Sequence, residues 1–149
     1  MAADEPSLMD QMGMYTGGCG FRRTFERDLA ALPLIFGHPA SVDSKGTAIL
    51  RSTERRAFQR NELIGVETAF RYFAGLRNAQ GSVTFAILSA ESGELMDTTS
   101  EEVTERDHRT VRMLPLRDLK PGRYLVWILA LDRLRGQSDA VEAKFTLQE

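Results

Sequence analysis

The chain has 149 residues, about the size of one domain with additional segments, and 42% of them are hydrophobic. Its 21 acidic and 19 basic residues give a formal net charge of -2, too balanced for bulk attraction to nucleic acid or to an anionic membrane. No stretch has the roughly eighteen successive apolar residues of a membrane span, and the acidic start does not resemble a signal peptide. We therefore expect a cytoplasmic chain as written, and an envelope or secreted one if it is a fragment of a larger exported protein.

Residues 1–46 predict a short helical arm followed by a linker. Thr24 can cap a helix that places Phe25, Leu29 and Leu32 on one side before a proline ends it. Two prolines and several turn residues surround the short apolar run that follows, which favours a connection with room for one strand.

From Thr47 onward the hydrophobic period changes to two, which predicts β-strands separated by turns. About seven strands with this spacing are typical of a two-sheet sandwich, so we assign residues 47–149 to an all-β sandwich domain. The residues predicted to face inward are Val66, Phe70, Tyr72, Val83, Phe85, Ile87, Val126, Ile128, Val141, Phe145 and Leu147.

The stretch "LRDLKPGRYLVWILALD" resembles the start of strand F in immunoglobulin-like and fibronectin type III-like sandwiches. Leu119, Pro121, Gly122 and Tyr124 carry the resemblance. It implies a tyrosine corner, in which Tyr124 is mostly buried and its hydroxyl bonds to backbone a few residues upstream. The resemblance therefore makes the expected sandwich immunoglobulin-like.

A wider resemblance covers residues from about 57 to 147. The segment "AFQRNEL" followed by "PGRYLVWILALDRLRGQSDAVEAKFTL" is similar to the C-terminal sandwich of bacterial proteins that carry a von Willebrand factor A-like region. The upstream "LMDQMGMYTGGCGFRRTFERDLAAL" resembles the tail of such a region, where a helix, a Thr-Gly-Gly turn and a second short helix close the domain. The metal-coordinating motif of an A-like domain would lie before Met1, so the resemblance assigns no metal ligand here.

No group of residues predicts catalysis. His38 and His108 are far apart and have no partner motif, so we interpret them as surface residues. The segment "TERDHRT" cannot form a catalytic triad, because the members of a triad converge from separate elements. We expect no enzymatic activity.

We also expect no metal and no cofactor. The acidic stretch "TTSEEVTERD" lacks the spacing of a calcium loop, so we interpret it as a charged loop. Met9, Met12, Met14 and Cys19 could in principle hold copper(I), but thioethers on a short amphipathic helix are more often packing groups. Because Cys19 is the single cysteine, the chain cannot form an internal disulfide or a cysteine-based zinc site.

Four arginines lie close together in "LRSTERRAFQR" and could clamp phosphates or acidic partners: Arg51, Arg55, Arg56 and Arg60. Phe58 alone does not supply the aromatic platform of a nucleic-acid site, so we expect no nucleic-acid partner. The segment predicts a loop at the rim of the sandwich.

The strand after Gly122 is apolar on both faces. Successive strand side chains alternate, so if Tyr124 and Val126 point inward, the residues between and after them form an outward stripe. The outward residues, extended on a neighbouring strand, are Leu125, Trp127, Leu129, Leu131, Ala86 and Leu88. We expect the helical arm to cover this stripe, and the alternative covers are an isologous homodimer or an external partner.

These features predict a non-enzymatic interaction or structural module that binds another protein or domain through an apolar sheet face. The alternative is a carbohydrate-binding sandwich, with Trp127, Tyr15 and Tyr72 as the large aromatic residues available for sugar platforms. Exposed aromatic side chains in a row would favour that alternative.

Overall fold

A computed structural model describes residues 27–74 and 81–149 of the chain. Within these ranges the chain forms two facing β-sheets and one 3₁₀ turn at Leu116–Asp118, so the predicted all-β sandwich is confirmed. The strands are β1 Ala30–Ala31, β2 Ile35–Val42, β3 Ala48–Thr53, β4 Ala57–Gln59, β5 Gly65–Arg71, β6 Gly81–Ser89, β7 Leu95–Val103, β8 His108–Met113, β9 Gly122–Asp132 and β10 Gln137–Gln148. No helix in the described ranges is long and apolar enough to cross a bilayer.

The first sheet has the strand order β4-β10-β9-β6-β7. Its central strand β9 pairs antiparallel with β10, from Gly122 opposite Leu147 to Asp132 opposite Gln137. On its other edge β9 pairs antiparallel with β6, while β4 joins the far edge of β10 in parallel. The strand β9 is therefore hydrogen-bonded along both of its edges and lies at the centre of the sheet.

The second sheet is built around β5. The strand β8 pairs with one edge of β5, and β1 and β2 follow each other along the opposite edge. The strand β3 pairs with β2 in a hairpin whose register shifts between Pro39 and Ser41.

The β2–β3 hairpin bends back over the outer face of the second sheet. Arg109 on β8 donates from Nη2 to the carbonyl oxygen of Ala48 at 3.0 Å. A Cβ on Gly65 would lie 3.1 Å from the Leu50 side chain, and one on Gly37 would lie 2.6 Å from the carbonyl oxygen of Arg51. Gly65 therefore allows the Leu50 side chain of β3 to approach the outer face of β5, and Gly37 allows β3 to approach β2 closely, so the hairpin covers part of this outer face.

The core lies between the two sheets and contains a cluster of four aromatic rings. Phe36 from the second sheet lies 5.6 Å from Phe58 and 6.1 Å from Phe145, measured between ring centroids. Tyr124 stacks on Phe145 at 5.4 Å. Of the residues predicted to face inward, nine are buried and Val141 is half-buried against the core, so the predicted register of these strands is confirmed.

Tyr72 is the exception among the predicted inward residues. It follows the end of β5 with φ of 71°, a left-handed conformation that is uncommon for residues other than glycine. Its side chain is partly exposed, and the Arg27 guanidinium lies 5.4 Å from its ring centroid. The chain has left the strand before this residue, so the alternation that places Phe70 inside does not extend to it.

The sandwich begins before the predicted boundary at Thr47. Both β1 and β2 belong to the second sheet, and Phe36 on β2 is fully buried in the core. The segment predicted as a linker is therefore an integral part of the domain.

The part of the predicted arm helix that is described is not helical. Residues 27–32 contain no helix, and the strand Ala30–Ala31 pairs with β5. The main-chain amide of Leu29 donates to Gln137 Oε1 at 2.8 Å, and that of Ala31 donates to Asp139 Oδ2 at 2.8 Å. These bonds to side chains 108 positions away outweigh the local capping pattern that favours a helix. Thr24 and Phe25 lie outside the described residues.

The acidic stretch predicted as a charged loop is mostly strand. Residues 98–103 of the acidic stretch belong to β7, an edge strand of the first sheet, and His108 begins β8. An edge strand exposes much of its surface, so polar residues are compatible with sheet structure there.

Candidate interaction surface

The outer face of the first sheet carries an apolar stripe along β9. Tyr124, Val126, Ile128 and Ala130 are buried in the core, and the residues between them point the opposite way. These outward residues are half-buried and comprise Leu125, Trp127, Leu129 and Leu131.

Neighbouring strands widen the stripe at the Leu125 end. On β6, Ala86 lies opposite Trp127 and Leu88 lies opposite Leu125. On β7, Leu95 lies opposite Leu88 and is 53% exposed. We call the set Leu125, Trp127, Leu129, Leu131, Ala86, Leu88 and Leu95 the outer apolar face.

Sequence reasoning missed Leu95. Leu95 lies on β7, whose register against β6 depends on a bulge at Ile87 and Leu88. A bulge changes which residues share a face, and it leaves no reliable mark in a single sequence. The signal present in the sequence is Leu95 itself, an apolar residue at the start of a mostly polar strand.

Polar side chains surround the outer apolar face. On β10, Glu142 lies opposite Trp127 and Lys144 lies opposite Leu125. On the other side, Thr84 of β6 and Ser100 of β7 share a hydrogen bond of 2.8 Å between their hydroxyl groups. An apolar centre with a polar border is the usual composition of a protein–protein contact surface.

No described residue of the N-terminal segment covers this face. Leu29 is 6% exposed and belongs to the core between the sheets. Leu32 lies at the second sheet, where its amide donates to the Ala69 carbonyl at 2.8 Å. The predicted cover by Leu29 and Leu32 is therefore wrong, because both residues are used in the sandwich itself.

The residues of the predicted tyrosine corner lie at the start of β9. Tyr124 is 5% exposed, and its hydroxyl donates to the Lys120 carbonyl oxygen at 2.5 Å. Leu119 is buried beneath the turn, and Gly122 adopts a φ of 158°, close to fully extended. The exposed Pro121 completes the turn between them. The hydroxyl thus has the upstream backbone partner that a tyrosine corner requires.

A buried carboxylate closes the opposite end of β9. Asp132 is 1% exposed and accepts hydrogen bonds from the amides of Ala74 at 2.8 Å, Leu134 at 3.1 Å and Arg135 at 3.3 Å. Burial raises the pKa of the Asp132 carboxyl, but these bonds and the Arg135 side chain together hold that pKa below its usual range. Arg135 also donates to the carbonyl oxygens of Arg27 and Tyr72. Through these bonds, Asp132 and Arg135 connect the end of β9 to Arg27 and to the segment from Tyr72 to Ala74.

The two histidines have separate structural partners. His108 Nε2 lies 3.1 Å from Glu101 Oε1, which also accepts a 2.5 Å bond from the Thr110 hydroxyl. The His108 contact lowers the pKa of the Glu101 carboxyl more than partial burial raises it, and the Thr110 bond adds to the lowering. The Nε2 atom of His38 on β2 lies 3.6 Å from Glu62 Oε1. The two histidines do not converge on one site.

The four clustered arginines are also separated by the fold. Arg51 lies within β3, and Arg55 donates to Glu62 at 2.5 Å. Arg56 lies over the ring of Phe36, while Arg60 donates to the Arg117 carbonyl at 2.7 Å.

In the described ranges no group of three or more His, Cys, Asp and Glu side chains could hold a metal ion. The cluster of Met9, Met12, Met14 and Cys19 lies outside those ranges.

The candidate sugar-binding aromatics do not form a row in the described structure. Trp127 lies on the outer apolar face, while Tyr72 lies beyond the end of β5 against Arg27. Tyr15 lies outside the described residues. The outer apolar face therefore contains one aromatic side chain among aliphatic ones.

Comparison with known proteins gives a likeness at the level of fold. No protein-family model matches the chain, and no curated protein sequence matches it. The C-terminal domain of Wzt is similar in structure, with a TM-score of 0.53 and 10% identity over 84% of this chain and 77% of that one. The chain is an all-β sandwich.

A second similar structure is the CARDB domain of a protein from Pyrococcus furiosus, solved in complex with di-metal ions. It has a TM-score of 0.45 and 11% identity over 84% of this chain and 97% of that one. The relation to proteins with a von Willebrand factor A-like region stays a prediction.

Proposed function

We propose that the chain is a non-enzymatic binding module that docks onto another protein through the outer apolar face of its first sheet. The observation that carries this proposal is the continuity of that face. Trp127, Leu125, Leu88 and Leu95 adjoin one another across three paired strands, and polar residues border them.

The two outer faces of the sandwich differ in what lies over them. The β2–β3 hairpin covers part of the second sheet, through the contact of Leu50 with Gly65 and the bond from Arg109 to Ala48. No described segment does the same for the first sheet. Apolar area in water costs on the order of 25 cal/mol per Å², so a partner that covers it gains binding free energy.

The composition of the face favours a protein over a carbohydrate partner. Sugar rings stack on flat aromatic side chains, and Trp127 is the aromatic residue of this face. Leu125, Leu129 and Leu131 instead offer branched aliphatic surface, which packs against apolar side chains. Glu142 and Lys144 lie beside the stripe and would limit which partners fit, because an unmatched charge disfavours contact.

Two carboxyl groups with a lowered pKa, Asp132 and Glu101, have structural roles. Asp132 holds the turn after β9, and Glu101 joins β7 to β8 through His108 and Thr110. Each has structural partners that explain its shift without a substrate.

The proposal is tested by binding measurements on three forms of the full chain. A protein recovered on the immobilised chain is purified and titrated against the parent, Leu129→Lys and Val42→Lys by calorimetry. Val42 is the control, because it is 66% exposed on β2, away from the first sheet. We expect Leu129→Lys to weaken binding about 30-fold or more, as loss of a central contact does, and Val42→Lys to leave it unchanged.

Equal affinities for all three forms, with both variants folded by circular dichroism, would remove the outer apolar face from the proposal. A panel of oligosaccharides is titrated against the same three forms. Glycan binding that Leu129→Lys abolishes, without any protein ligand, would contradict a protein partner and favour the carbohydrate alternative.

A further inference from the structure

An open groove of about 370 Å³ lies beside the start of β9, and its lining is rich in cations. The lining residues are Arg56, Ala90, Arg123, Lys144, Phe145 and Thr146. Three of the six are basic and none is acidic. We propose that this cationic groove binds an anionic group, either a carboxylate or a phosphate, independently of the function proposed for the outer apolar face.

Arg56 is held in place by groups that do not neutralise its charge. Its carbonyl accepts a 2.7 Å hydrogen bond from the Thr146 amide, which fixes its backbone against β10. Its guanidinium lies 4.7 Å from the Phe36 ring centroid and donates to the carbonyl oxygens of Thr53 and Arg55. The side chain is therefore positioned in advance, so little conformational entropy is lost when an anion binds.

Lys144 and Arg123 are also available to an anion. The Lys144 side chain forms no hydrogen bond or ion pair with any residue in the ranges 27–74 and 81–149. Arg123 Nε lies 3.5 Å from Glu91 Oε2, with side chains that are 67% and 58% exposed. An exposed pair of this kind is weak, so a bound anion competes with Glu91 at small cost.

The chemistry of the three side chains defines the class of ligand. Each guanidinium presents a planar set of donors that matches two oxygens of a carboxylate or phosphate, and the lysine adds a compact charge. The groove is open to solvent, so salt screens the attraction and the affinity for a free anion should be on the order of millimolar.

The test titrates inorganic phosphate and malonate separately into the ¹⁵N-labelled full chain at constant ionic strength, with chloride as the reference anion. Amide chemical shifts are followed in the parent, in Arg123→Ala/Lys144→Ala, and in Lys45→Ala/Arg133→Ala. Lys45→Ala/Arg133→Ala is the control, because it also removes two positive charges but does so in exposed turns. Lys45 lies between β2 and β3, and Arg133 lies at the opposite end of β9.

We expect saturating shifts at the amides of Arg123 and residues 144–146, with affinity reduced at least 5-fold in Arg123→Ala/Lys144→Ala and unchanged in the control. Saturation by phosphate alone would assign the site to phosphate, and saturation by both anions would assign it to a general oxyanion. Shifts that stay linear, that chloride reproduces, or that persist in Arg123→Ala/Lys144→Ala would overturn the proposal. Lys144 borders both sites, but none of these results depends on Leu129, so the anion site can fail while the outer apolar face stands.

Discussion

Tyr124 fixes the start of β9 through its hydroxyl and its ring. The hydroxyl donates to the Lys120 carbonyl, and the ring stacks on Phe145. Phenylalanine keeps the ring and removes only the hydroxyl, so Tyr124→Phe should lower the free energy of unfolding by about 1 to 3 kcal/mol. Urea denaturation measures the change.

Tyr72→Phe is the control for this substitution, because the Tyr72 hydroxyl accepts its hydrogen bond from the exposed Arg27. It should cost less than about 0.5 kcal/mol, as exposed substitutions usually do. If Tyr124→Phe were as stable as the parent, the corner would not be a stabilising contact.

Asp132 makes stability depend on acid pH. Its folded-state pKa lies below its ordinary value of 3.8, so the ionised form stabilises the fold above that pH and the contribution is lost as the pH falls through the folded pKa. Asp132→Asn should cost about 2 to 3 kcal/mol at pH 7, because buried donors lose a charged acceptor.

Chemical denaturation at several pH values measures the difference between parent and Asp132→Asn. We expect that difference to be constant from neutral pH down to about 4 and to shrink below it. The exposed Asp118→Asn is the control substitution, and a pH-independent difference for Asp132→Asn would contradict the assignment.

At the residue scale, alternation along one strand was sufficient to predict the outward residues of β9. Leu125, Trp127, Leu129 and Leu131 follow from the period of two once Tyr124 is placed inward. The cationic groove could not be predicted in the same way. Arg56, Arg123 and Lys144 are distant in sequence, and their meeting depends on β4 joining β10 in parallel.

Gly37 determines how closely the two strands of the β2–β3 hairpin pack together. A Cβ there would lie 2.6 Å from the Arg51 carbonyl oxygen, a backbone atom that cannot move independently. Gly37→Ala should therefore lower the free energy of unfolding by about 1 to 3 kcal/mol, in the range of other overpacked sites. Thermal and urea unfolding measure it, with exposed Ala40→Ser on the same strand as the control. Equal stability of Gly37→Ala and the parent would show that the hairpin does not pack this closely.

At the element scale, strands with strong alternation were predicted in full, and strands with mixed signals were predicted only in part. The residues of β6, β9 and β10 alternate clearly between buried and partly exposed positions. In contrast, β2 contains Pro39 at a register shift, and β7 is a polar edge strand. Their strand structure comes from neighbours in the sheets and not from their own composition.

The predicted arm helix failed for a related reason. A capping residue and apolar residues at helical spacing are local signals, and they take no account of acceptors supplied by another strand. The Gln137 and Asp139 side chains on β10 bind the amides of Leu29 and Ala31, and this holds the segment extended.

At the scale of the whole molecule, the sandwich has one outer face partly covered by its own hairpin and another that presents Trp127 at the centre of an apolar stripe. Leu129→Ser should lower the free energy of unfolding by less than about 1 kcal/mol, since Leu129 is half-buried, while Ile128→Ser in the core should cost about 3 kcal/mol or more. Equal losses for the two would show that the outer face is packed against other parts of the chain.

Trp127 is the single tryptophan of the chain, so 5-fluorotryptophan labelling gives one ¹⁹F signal that reports on the outer apolar face. The most direct measurement is the relaxation of that signal by a dissolved paramagnetic agent, in the free full chain and in complex with the partner protein. We predict clear relaxation enhancement in the free chain and its loss in the complex. A signal already protected in the free chain, or one equally accessible in the complex, would contradict the assignment of this face to protein binding.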